Sequence, residues 1–173
     1  MTRPLILCVV GARPNFMKIA PVIRALQRPD SGVETCLLHT GQHYDADMKT
    51  SFFDQLQIPE PEVDLGVGSG SHAQQTAEIM LRFEPVLERL APAAVLVAND
   101  TLAFQTIPAC HRIGLTVPGD VALLGVDNLE LLCELARPTL SSVMYPSVEI
   151  GYKAAEVLAQ QMQGRRLRKR VFR

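Results

Sequence analysis

The feature that most restricts what this chain can fold into is a repeated exchange between two hydrophobic periods. Short continuous apolar runs, such as LILCVVG at 5–11 and AVLVAND at 94–100, alternate with stretches whose apolar residues recur every three to four positions. A run that is apolar at every position is buried on both faces, the condition of a strand in a parallel sheet covered by helices. Phe16, Ile19, Ala20, Ile23 and Leu26 place the second period on one face of a helix over 15–27. The exchange continues with strands at 33–41, 62–71, 120–128 and 139–145, and helices at 45–58, 71–91, 101–114 and 147–164. Pro85 predicts a kink in the helix that contains it, and Pro108 a kink or a late start in the next.

This βα alternation predicts a three-layer α/β/α, Rossmann-like, doubly wound parallel sheet in the order 3-2-1-4-5(-6), with right-handed crossovers. Ligands in such sheets bind at the carboxyl ends of the strands. Four of those ends carry polar groups here: Arg13, Gln42-His43-Tyr44, Asn99-Asp100 and Asp127-Asn128. A length of 173 residues suits a single domain over 1–173. An apolar content of 47% with 20% charge excludes a disordered chain. No apolar run is long enough to span a membrane, and MTRPLILCVVG reads as a first strand, not a signal peptide. Cys8, Cys36, Cys110 and Cys133 have no metal or CxxC spacing, so they read as thiols of a cytoplasmic protein with no metal and no cofactor. Residues 165–173 hold six of the seventeen basic residues, leaving eleven bases against eighteen acids in the rest. This basic tail reads as a solvated terminus or as an anion-binding segment.

Two families are visible in the motifs. GARPNFMKIAPVIRAL (11–26), HTGQHYDADM (39–48), FFDQLQIPEPEVDLGVGSGSHAQQTAEIM (52–80) and FEPVLERLAPAAVLV (83–97) resemble the non-hydrolysing UDP-N-acetylglucosamine 2-epimerases. VANDTLA (97–103), ACHRIGLTVPGDVALLGVDN (109–128), LLCELARPTLSSV (131–143) and IGYKAAEVL (150–158) resemble the ligand-binding domain of lactose-repressor-family regulators, above all the xylose-operon regulators. The change falls inside the strand at 94–100, which both families would place before a helix. The chain is therefore expected to be a chimera within one domain: an epimerase-like half (1–97), a periplasmic-binding-protein-like half (98–165) and the tail (166–173).

Each resemblance implies its own site. The first implies that Arg13 and Lys18 face a nucleotide sugar, with Asp100 as a vestigial catalytic residue and His43 a further substrate-side candidate. The second implies that Asp100 and Asp127 bind sugar hydroxyls, which carboxylates accept in bidentate fashion. The plain alternative is that the strand-end carboxylates cap the following helices and that His43 is structural. The second catalytic domain, the second lobe and the DNA-reading head of the parent families are expected to be absent. Three functions follow from this: a scaffold without native activity, a weak sugar, UDP or anion binder that reads no DNA, and an epimerase restored by self-association. The join is expected to pack imperfectly among Val10, Val97, Ile107 and Leu124.

Overall fold

The computed structural model describes residues 3–11, 13–41 and 53–165. In chain order its elements are β1 (Leu5–Val10), α1 (Arg13–Leu26), β2 (Glu34–His39), β3 (Val63–Asp64), α2 (His72–Leu90), β4 (Ala94–Val97), α3 (Asp100–Arg112), β5 (Ala122–Val126), α4 (Glu130–Leu135), β6 (Ser141–Val143) and α5 (Ser147–Met162). The helix expected over 45–58 lies largely outside the described residues, and its described end at 53–56 is helical. The chain divides into two compact units, residues 1–143 and 144–173. The sheet and α1–α4 belong to the first. The second contains α5, a regular helix of 16 residues closed by the Gln163 N–H donating to Ala159 O.

All six strands form one parallel sheet in the order β3-β2-β1-β4-β5-β6. The order expected from the sequence is the one observed. β4 pairs on one side with β1, Val95 opposite Leu7, and on the other with β5, Leu96 opposite Leu124. The two sequence halves thus share one hydrogen-bond ladder.

Strand pleating sends successive residues to opposite faces, and two cores result. Leu7, Val9, Val95, Val97 and Leu123 pack with Phe83 and Leu87 of α2 and Ile107 of α3. Cys8, Val10, Leu37 and Leu96 pack with Phe16, Ile19 and Ile23 of α1 and with Phe53. β5 departs from this pattern: Leu123 and Gly125 are buried, whereas Leu124 is 38% exposed. Of the residues expected to pack loosely at the join, Val10, Val97 and Ile107 are buried, and only Leu124 is left open.

Local chemistry sets the helix ends. Ser71 caps α2 in a reciprocal capping box with Gln74, and Ala91 ends the helix in the left-handed region at φ 41°. Asn99 caps α3, its Oδ1 accepting the Leu102 N–H at 2.8 Å. That cap starts α3 directly at Asp100, so Pro108 does not delay it and lies within a continuous helix. The short helix α4 has no counterpart in the sequence reading. It has six residues, fewer than two turns, too few for a helical period to show in the sequence.

The carboxyl edge of the sheet as a candidate functional site

The strand ends at the carboxyl edge are built from tight turns. Just after β2, Gly41 has a φ of 81°. A Cβ there would lie 2.6 Å from the Val67 backbone nitrogen, so only glycine allows this approach. At the end of β5, Asp127 and Asn128 have φ of 111° and 55°. Positive φ is uncommon outside glycine, and these two residues are held by β6: the Asp127 N–H donates to Val143 O and the Asn128 N–H to Ser142 Oγ.

Lys18 and Asp127 meet here, 109 residues apart in sequence. Lys18 Nζ lies 2.5 Å from Asp127 Oδ1 and 3.4 Å from Ala98 O at the end of β4. The side chains remain 20% and 28% exposed, so the pair is partly solvated. Asp100 behaves differently. It is fully buried, and its Oδ2 accepts the Leu129 N–H at 2.7 Å while its Oδ1 accepts the Ser142 hydroxyl at 2.6 Å. Gly125 makes this seat possible, since a Cβ there would lie 2.2 Å from Asp100 Oδ1. Cys133 Sγ is 3.8 Å from Oδ2, and burial followed by the Asp100 charge raises its thiol pKa. The carboxylate therefore ties α3 to the residues before α4 and to β6. The capping role belongs to its neighbour Asn99.

Arg13 opens α1, and its side chain is not among the described groups; His43 and the tail at 166–173 also lie outside the described residues. A histidine that the sequence reading passed over is prominent instead. His39 is buried at the end of β2, with Nδ1 3.1 Å from Asp64 Oδ2 and its ring 5.6 Å from that of Phe16. Its signal in the sequence is a polar residue closing an apolar strand. Among the described residues no His, Cys, Asp or Glu cluster could hold a metal ion, and no helix is long and apolar enough to cross a membrane.

A small cleft lies on the opposite side of the sheet from α1, between α2 and α3. Val9, Thr40, Ile79 and Phe83 line it from one half, and Leu102, Gln105 and Thr106 from the other. Thr40 is fully buried, and its hydroxyl has no hydrogen-bond partner among the described residues.

A sequence model of the periplasmic binding protein-like domain matches residues 36–172. The chain belongs to that family. The xylose operon regulatory protein of Haemophilus influenzae is 28% identical over 131 residues, which cover 75% of this chain and 34% of the regulator. A UDP-N-acetylglucosamine 2-epimerase homolog of Methanococcus maripaludis is 47% identical over 96 residues, or 56% of this chain and 26% of that protein. The crystal structure of Methanocaldococcus jannaschii UDP-GlcNAc 2-epimerase in complex with UDP-GlcNAc and UDP superposes with a TM-score of 0.59 at 29% identity, covering 71% of this chain and 33% of that one. Different parts of this periplasmic binding protein-like chain thus match a sugar-operon regulator and an epimerase. The chain spans about a quarter of the length of the curated epimerases it matches.

Proposed function

We propose that this chain is a recombined α/β scaffold, one domain over 1–173 joined within β4, that carries out neither the epimerase reaction nor the regulator's response. The observation that carries this reading is how the expected site residues are used. Lys18 is paired with Asp127, and both oxygens of Asp100 are occupied by Leu129 N–H and Ser142. Epimerisation needs a base and an acid poised at the reacting carbon, and a fully buried carboxylate with satisfied partners cannot reach a substrate. Tight sugar binding needs a ligand enclosed on most of its surface. Among the described residues the carboxyl edge offers one wall, consistent with weak binding of a sugar, UDP or another anion in a cytoplasmic protein.

The test is a coupled assay for conversion of UDP-N-acetylglucosamine to its manno epimer, alongside thermal-shift titration with UDP-N-acetylglucosamine, UDP and xylose. We expect no turnover, and shifts only at roughly millimolar ligand. Turnover that disappears in Asp100→Asn would overturn the proposal and favour an epimerase rebuilt by self-association.

A further inference from the structure

The cleft between α2 and α3 is built differently from the carboxyl-edge groups: mostly apolar walls surround one unsatisfied hydroxyl. We propose that it binds the hydroxyl end of a small neutral alcohol, with Thr40 Oγ1 as the hydrogen-bonding partner and the carbon chain lying outward between the two helices. This goes beyond the reading above, since it uses none of the charged residues on which that reading rests.

The observation that points to a ligand is Thr40 itself. Its side chain is fully buried and lines the cleft, and its hydroxyl has no partner among the described residues. The backbone is pinned on both sides: the Thr40 N–H donates to Val10 O at 2.9 Å, and Thr40 O accepts the Val67 N–H at 3.1 Å. A β-branched side chain on a fixed backbone has few rotamers by which to find another partner. Thr106, the other hydroxyl in the lining, already donates to Leu102 O at 2.9 Å. A buried hydroxyl rarely goes without a partner in a folded protein.

The walls decide what that partner is. Val9, Ile79 and Phe83 are buried and apolar, whereas Met80, Leu102 and Gln105 are half-buried and form the rim. None of the described lining residues is charged, so an ion entering here would lose its hydration without compensation. An alcohol hydroxyl both donates and accepts, as does Thr40 Oγ1, so the two match in either direction. The free space of about 20 Å³ holds one water-sized group. The head of the ligand fits there, and its chain lies against Met80 and Leu102, where an unbranched methionine adapts its shape. Those apolar walls favour a ligand with carbon over a lone water.

The experiment is NMR titration of n-propanol into the full chain, Thr40→Val and Thr40→Ser, read at the backbone amides and the Met80 methyl group. The same spectra check the fold of each variant, and valine keeps the shape of the threonine side chain. We expect saturable shifts at Thr40, Met80 and Phe83 with a midpoint of roughly 10 mM, since so small a ligand makes few contacts. Thr40→Val should weaken binding about tenfold through the lost hydrogen bond, whereas Thr40→Ser should stay within about threefold of the parent. Shifts that rise linearly without saturating would mark a solvent effect and overturn the proposal. So would binding undiminished in Thr40→Val, or a cleft that holds water alone, seen as water-to-Thr40 cross-relaxation with no response to propanol. Turnover of UDP-N-acetylglucosamine, or its absence, bears on the scaffold reading alone.

Discussion

At the scale of single residues, Asp100 is the most consequential group. Its two oxygens satisfy a backbone N–H and a hydroxyl in a space only Gly125 leaves open. Asp100→Ala would strand both donors and leave a void, at a cost of about 3 kcal/mol in urea unfolding. Asp100→Asn should cost about 1 kcal/mol, because Oδ1 can still accept from Leu129 while the amide donates to a rotated Ser142 hydroxyl. Equal losses in the two variants would count against this account. Cys8 sets a second, pH-dependent expectation. Burial, with the nearby ionisable Cys36 and Glu62 adding to it, pushes its thiol up to about 12. An unfolded chain releases that proton near pH 9, whereas the folded chain keeps it. The stabilisation is thus complete below about pH 9 and is lost as pH rises towards 12, by up to about 1.4 kcal/mol per unit. Unfolding curves between pH 9 and 10.5 should fall less steeply for Cys8→Ala than for the parent.

At the scale of elements, the contact between α2 and α3 is where the described buried polar side chains are least well paired. Both buried side-chain atoms that lack a hydrogen bond among the described residues belong to it: Thr40 Oγ1 lines the cleft, and Glu84 Oε1 faces α3. Arg112 Nε comes within 3.1 Å of that Glu84 oxygen, close enough for an ion pair but not aligned as a hydrogen bond. The backbone ladder across the join, by contrast, is complete, because main-chain pairing does not depend on which side chains meet. The sequence reading placed looseness at the join but assigned it to four strand and helix residues, three of which are buried. The atoms without a hydrogen bond lie one layer out, beside the contact between α2 and α3. Thr40→Val replaces an unpaired hydroxyl with a methyl of the same shape and should raise stability by about 1 kcal/mol. A loss of stability would show that the hydroxyl has a partner in solution.

At the scale of the whole molecule, order should be graded across the sheet. β1, β2 and β4 are covered on both faces, β5 on one, and neither α4 nor β6 contains a buried residue. Native-state hydrogen exchange should find the slowest amides at Cys8, Val9, Leu96 and Val97. Those of α4 and β6 should open at lower free energy, by local fluctuation. Uniform protection from β1 to β6 would contradict this. Leu124, Leu129, Leu131, Leu135 and Val143 are exposed in the same region, five of the eight large hydrophobics exposed among the described residues of the 1–143 unit.

What the sequence determined is what depends on neighbours along the chain. Six strands, their parallel order and the start of α2 at Ser71 follow from hydrophobic period and capping chemistry, which act over a few residues. The motifs also placed Lys18, Asp100 and Asp127 at the carboxyl edge, because a strand end is a local feature. What tertiary structure alone decided is where those side chains point and what they meet. Asp100 turns inward because Gly125, Leu129 and Ser142 together make a polar seat for it, and those residues lie 25 to 42 positions away. Lys18 meets Asp127 across 109 residues, and His39 meets Asp64 across 25. No local period encodes such pairings, since each exists only once the sheet has set its strands side by side.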